Sequence, residues 1–426
     1  MSPIQDHPLR YELANELHAR PFPSIDAPGA AIYLAIKKQE DAASRDRGAD
    51  LAHLTALLDR FGAAHPQPGA THYFGRIGRH MLKWESHTEF VTYTAFTESL
   101  SSRAFDPADF EVFPAEWLAR APGVRVTSAL IRMEEVGEKQ AVIDKLNDWF
   151  VPESLAVSRV LDDSAIVAGD FRIDPAGHMR FAIFVSPQTG ARRIGRVVQR
   201  LCEIETYKTM SMLAFAQVKS MSSTLASIDA QLTQLMDDMT RNEKPADQTL
   251  AGLLEVSALL ENKVARASFR FGAAAAYEAI VHQRIEVLRE ERFDGRQTFS
   301  EFMMRRYDPA MRTVKASQAR LAAMADRAMR AGELLRTRVD VERSAQNQKL
   351  LESMNIRADM QLRLQKTVEG LSVVAISYYA VSLMAYAVYP IAELMQISKG
   401  TLTAVLIPPV MLLVWALVRR VQKHLH

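Results

Sequence analysis

The stretch KTVEGLSVVAISYYAVSLMAYAVYPIAELMQISKGTLTAVLIPPVMLLVWALVRRVQK, residues 366–423, decides how the chain is read. Charges stop after Glu369. Gly370 to Ala392 carries none, and Leu371 to Tyr389 is almost wholly apolar. About 20 such residues cross a bilayer core. A short polar loop, Ile391 to Gly400, holds Glu393 and Lys399. A second uncharged run, Thr401 to Val418, is just long enough to cross. Two spans joined by a short loop form a hairpin, so both chain ends fall on one side. Arg357, Arg363 and Lys366 precede the first run, and Arg419, Arg420 and Lys423 follow the second, whereas the loop has only Lys399. The positive-inside bias therefore predicts cytoplasmic N- and C-termini. Pro408 and Pro409 kink the second run, which membrane helices tolerate when neighbours satisfy the freed carbonyls. The competing reading is a buried hairpin in a soluble core. Two consecutive runs of this length between basic clusters argue against it.

Upstream, a long helix runs into the first span. Asp308 suits an N-cap and Pro309 the first helical position. From there to Lys366 strong helix formers dominate, with no further proline and only Gly332 as glycine. Val314, Leu321, Ala328 and Leu335 fall seven apart, and Val339, Leu350, Met354 and Leu364 break that register. Such a pattern predicts a helix packed on partners rather than a regular two-stranded zipper. Helical from 308 to 389, it is a rod on the order of 120 Å at roughly 1.5 Å per residue. A rod of that length needs support, most simply from copies of itself. The organisation is then a stalk over 308–369, a transmembrane hairpin over 370–418 and a basic tail over 419–426.

Residues 1–187 read as a cytoplasmic α/β domain with a mostly antiparallel sheet and helices over one face. Strands are expected over Ala30–Ile36, Thr71–Ile77, Met81–Trp84, Glu89–Phe96, Val124–Met133, Leu155–Leu161, Ala165–Ile173 and His178–Val185. Helices are expected over Leu9–His18, Asp41–Phe61 and Glu138–Phe150, with a short one near Trp117. Residues 188–307 form a long helical hairpin: one helix from Thr189 to about Met239, and a second from Asp247 to about Phe293. With the stalk they make an antiparallel bundle. The fold class is α+β, ending in two apolar helices.

Composition narrows function. Net charge is +2, with 52 Lys and Arg against 50 Asp and Glu, so no general attraction to nucleic acid is expected. The single cysteine, Cys202, excludes an internal disulfide framework and reads as a small core residue. Met1 to Arg10 has no apolar signal core, so insertion is expected to depend on the C-terminal runs. His65, His72, His80 and His87 recur seven or eight apart, a spacing that scatters them over both faces of strands and against a metal site. No Gly-rich phosphate loop, cofactor motif or nucleophile–base signature is present, so a non-enzyme is expected. His18 and Arg20 precede Pro21. They read either as an anion site or as basic groups at a helix C-terminus, and local context favours the second. Arg192, Arg196 and Arg200 make a stripe that could take an acidic ligand or a neighbouring subunit, though such stripes are more often solvated or paired. In the first span Ser377, Tyr378, Ser382, Tyr386 and Tyr389, with Glu393 at its mouth, are the polar groups a water path would use. Serines bonded to preceding carbonyls and tyrosines anchored at the interface account for them equally well.

Two resemblances follow. The His18-Ala19-Arg20-Pro21 tetrapeptide, the Arg200-Leu201-Cys202-Glu203 region and the C-terminal hairpin resemble a family of uncharacterised bacterial membrane-anchored proteins, which carries no established activity. The architecture is similar to that of CorA-type divalent-cation channels, homopentamers in which the first spans line a central pore. That family's Tyr-Gly-Met-Asn motif is matched here by Tyr386-Ala387-Val388-Tyr389, then Pro390 and Glu393. The tyrosine and a loop acid remain. The asparagine that contacts the hydrated ion does not. Together the resemblances imply a homo-oligomer in the bacterial inner membrane that conducts or gates a cation, and the charged stalk with its flanking Arg and Lys suits contact with anionic headgroups. A membrane-tethered scaffold without transport is the alternative.

Overall fold

A computed structural model describes residues 4–16, 22–40, 44–241, 244–395 and 397–425. The chain divides into two compact units, Met1–Arg241 with Ala251–Ala331, and Asn242–Leu250 with Gly332–His426.

After a short helix α1 (Arg10–Glu16), the first unit is organised by β1 (Gly29–Lys37), whose nine residues are all buried. A strand with no exposed parity belongs between two covered faces. It pairs antiparallel with β4 (Phe90–Thr97) on one side and β5 (Val124–Glu135) on the other. Beyond β4 lie β3 (His80–Ser86) and the edge strand β2 (His72–Ile77). Beyond β5 come β8 (Met179–Val185), β7 (Ala165–Gly169), β6 (Ala156–Val160) and a two-residue β9 (Glu291–Arg292). Among the described residues the sheet thus has nine strands, and β5–β8 is its one parallel pair. Its mixed character arises because the chain leaves β5 for a helix and the β6–β7 hairpin before returning.

One face carries Ile32, Leu34, Leu82, Trp84, Tyr93, Leu130 and Phe184 in a core completed by α2 (Arg47–Arg60), the segment around α3 (Ala115–Leu118), and α4 (Lys139–Trp149). Helices cover both faces of the sheet, not one as its sequence suggests. The opposite face is covered by α5 (Ala191–Arg241): Tyr33 bonds Thr206 at 2.6 Å, Lys83 Nζ donates to Gln199 at 2.9 Å, and Thr127 donates to Glu205 at 3.2 Å. A Cβ on Gly195 would stand 1.8 Å from the Pro23 carbonyl, so only glycine lets α5 approach the segment before β1 this closely.

Two helix boundaries also differ from expectation. Among the described residues α2 begins at Arg47, because Asp46 caps it through the Gly48 amide at 2.8 Å. The next long helix, α6 (Ala246–Glu286), stops short of Phe293. Arg289 turns left-handed at φ 51°, and Glu291 and Arg292 join the sheet beside β6. Glu290 holds this return by accepting from the Phe299 and Ser300 amides, both at 2.9 Å, at the start of α7 (Phe299–Arg306). Helix propensity loses there to hydrogen bonds that need the whole fold.

The long helix α8 runs unbroken from Asp308 to Leu394. Within the first unit Val314, Leu321, Met324 and Ala328 are buried, and Asp229 of α5 accepts from Arg320 at 2.7 Å and Arg327 at 2.6 Å. In the second unit, residues 340–368 are exposed all round. After a tight connection in which the Met395 and Ile397 amides donate to Ala392, α9 (Lys399–Leu425) turns back along α8. Val381, Val410 and Val414 form the buried seam of that hairpin, flanked by Val373, Ala380 and Val418.

Candidate functional site

The α8–α9 seam sorts the polar residues of the first apolar run. Ser377 is 4 % exposed, one turn before Val381, and so faces α9. Among the described residues its Oγ finds no hydrogen-bond partner. Tyr378, Ser382, Tyr386, Tyr389 and Glu393 lie elsewhere. At about 100° per residue they share roughly a quarter of the circumference, opposite Ser377. Tyr378 and Tyr386 are 70 % and 80 % exposed, and Glu393 is exposed. Ser382 Oγ donates to the Tyr378 carbonyl at 2.9 Å, which occupies the hydroxyl hydrogen without turning the side chain away. Lys399 Nζ sits 4.4 Å from the Tyr389 ring centroid. Five of the six polar candidates therefore lie together, and Ser377 does not join them.

The same face continues toward the N-terminus of α8. Leu350, Met354, Arg357, Gln361, Leu364, Val368, Leu371, Ala375, Tyr378, Ser382, Ala385 and Tyr389 succeed one another at alternating spacings of four and three. That is the heptad spacing of a coiled-coil seam, interrupted by the polar Arg357 and Gln361. Leu350, Met354, Leu364, Val368 and Leu371 are all more than half exposed. Glu352, Asp359, Arg363 and Lys366 occupy the other side. The register of Val314 and Leu321 belongs to a different packing surface, buried in the first unit, and does not point to this row.

Among the remaining candidates, His18 and Arg20 lie outside the described residues. Arg192 is exposed at the start of α5. Arg200, half-buried, donates to the Val287 carbonyl at 3.2 Å. Burial lowers its pKa, and Arg196 and Arg284 push it the same way. Between α5 and the sheet, Lys83 links Glu85 at 3.2 Å to Gln199, and Gln199 donates to Glu203 at 2.8 Å. The cavity beside this chain, lined also by Tyr33, Cys202 and Thr206, measures about 30 Å³, room for one water. Burial drives the pKa of the Cys202 thiol upward. No group of three or more His, Cys, Asp or Glu side chains converges as a metal site among the described residues.

The fold defines an α+β protein with a mixed sheet, long helices and two C-terminal helices long and apolar enough, by length and composition, to cross a membrane. The chain belongs to the family described as Protein of unknown function (DUF3422), whose model matches residues 5–425. No curated protein and no solved structure matches it.

Proposed function

We propose that the chain is a membrane-anchored homo-oligomer whose copies meet through the α8 face turned away from α9. One observation carries this: the exposed seam from Leu350 to Leu371 runs in register into Ala375, Tyr378, Ser382 and Tyr389. Apart from Arg357 and Gln361 the seam is apolar, and an isolated helix in water has no reason to hold such a stripe exposed in one register. A second copy gives that side a partner, and the unbroken register carries the contact into the apolar run. Basic residues flanking both runs support the bacterial inner membrane, with both termini cytoplasmic and near anionic headgroups.

Around such an axis, Tyr378, Ser382, Tyr386 and Tyr389 supply hydroxyls and Glu393 a carboxylate. This supports passage of a cation, in keeping with the resemblance to CorA-type channels, which assemble as pentamers. A tethered scaffold without transport is the alternative. It is favoured by Leu364, Val368, Leu371 and Ala375, four successive apolar layers that would close the axis. The test is native mass in detergent together with cation flux into proteoliposomes. Flux that falls in Glu393→Gln and Tyr386→Ala but not in Ser377→Ala supports the channel. Flux no greater than that of empty liposomes, from an intact oligomer, supports the scaffold. A monomer that does not sediment with membranes overturns both.

A further inference from the structure

We propose that Arg196, Arg200, Arg284 and Arg289 form a binding site for a phosphate-bearing anion, where the end of α6 meets α5. Arg196 and Arg200 stand one helical turn apart on α5, and Arg284 and Arg289 bracket the last residue of α6, Glu286. Arg200 Nη1 reaches the Val287 carbonyl at 3.2 Å, which ties the two helices together at this point. Arg284 Nε donates to Glu203, three residues beyond Arg200. Arg289 Nη2 bonds Asp162 at 2.8 Å. Among the described residues two of these guanidinium groups are bonded to carboxylates, Arg284 to Glu203 and Arg289 to Asp162, and Arg196 and Arg200 are not. Arg196 has no carboxylate partner among the described residues.

Ordinary helix chemistry accounts for part of this cluster. The carbonyl pole of α6 favours a nearby cation, and Arg200 and Arg284 serve there. It does not account for Arg196, which sits on the other helix with nothing to pair with. Nor does it account for Arg289, held at φ 51°, where glycine or asparagine is the usual choice. Keeping an arginine in that backbone region preserves a charge beside Arg200 at the expense of strain. The crowding is felt: burial and the neighbouring arginines lower the pKa of Arg200, against the pull of Glu203. A dianion between the forks would relieve that repulsion and take paired N–H donors, the geometry in which guanidinium binds phosphate best. The same chemistry is offered by a soluble phosphate compound and by a phosphomonoester lipid headgroup.

The test uses the full chain in phosphatidylcholine nanodiscs, read by thermal unfolding. Inorganic phosphate is titrated at constant ionic strength against chloride. In a second arm, phosphatidic acid replaces part of the lipid and no phosphate is added. Arg196→Gln and Arg289→Gln remove an unpaired and an exposed side chain, so both should fold. Arg192→Gln, on the same stripe but outside the cluster, is the control. A phosphate-dependent rise in Tm whose apparent affinity drops about ten-fold or more in the two variants, but not in the control, supports a soluble anion. A rise confined to phosphatidic acid and lost in the same two variants supports a headgroup. No rise in either arm overturns the site, as does a rise that survives in both variants or weakens equally in Arg192→Gln.

Discussion

Glu89 offers the sharpest energetic test of the first unit. It is 1 % exposed just before β4, and both of its oxygens accept from the Arg270 guanidinium of α6. Tyr277 Oη adds a third bond at 2.9 Å. Arg270 is itself mostly buried, its side chain 15 % exposed. Replacing Glu89 with Leu leaves a guanidinium out of water without its counter-ion, and replacing Arg270 with Met strands the carboxylate. Each single change should cost roughly 3–5 kcal/mol, the range for removing one partner of a buried pair. The double replacement removes both orphans and should recover most of that loss. Recovery will be incomplete, because Tyr277 loses its acceptor. Lys37, whose pKa is lowered by burial and by Arg270 and raised by Glu89, loses both neighbours together. Urea unfolding of the full chain in detergent, followed by the fluorescence of buried Trp84 and Trp117, gives the midpoints for the cycle. Coupling of about 2 kcal/mol or more is expected. Additive single effects would refute the reasoning, showing a contact screened like a surface ion pair.

Further outcomes follow from other parts of the fold. Gly195→Ala drives a Cβ into the Pro23 carbonyl and should destabilise by about 1–3 kcal/mol. Gly272→Ala, with nothing within 4 Å of the added carbon, should instead stabilise by up to about 1 kcal/mol, and urea midpoints compare the two directly. His53, His80 and His178 are buried, and burial lowers each pKa. A lowered histidine pKa means that the unfolded chain binds the extra proton more readily. The stability they contribute is therefore complete above the unfolded value of about 6.5 and is lost as pH falls from there toward the folded values. Midpoints measured downward from about pH 7.5 should decline on crossing that value, and His53→Gln should flatten the decline.

Most of the elements could be read in the sequence, since their signals are local. Alternation marked β5, the Asp174–Gly177 turn marked the β7–β8 hairpin, and the proline at 245 marked the break before α6. The second covered face was visible only indirectly, in the unbroken apolar run Ala30–Ile36, because what covers it is α5, far away in the chain. The early end of α6 was hidden for a similar reason: Glu291 and Arg292 extend only because Ser158 and Arg159 stand beside them. At the C-terminal hairpin, residue types flagged the polar candidates, but periodicity alone could not say which side α9 takes. Once Val381 and Val414 fix that side, Ser377 separates from Tyr386. The nearness of Arg284 and Arg289 to Arg200 has no local signal, because it depends on where two long helices meet.

The assembly itself is tested most directly by cysteine crosslinking along α8 in native membranes, in a Cys202→Ala background. Single cysteines at Leu364, Val368, Leu371, Ala375 and Tyr378 should give dimeric and higher bands under mild oxidation. Those at Lys366, Val373 and Ser377 should give none. Crosslinks that peak on the Val373–Ser377 side, or that form at no position in α8, would contradict a homo-oligomer built on this face.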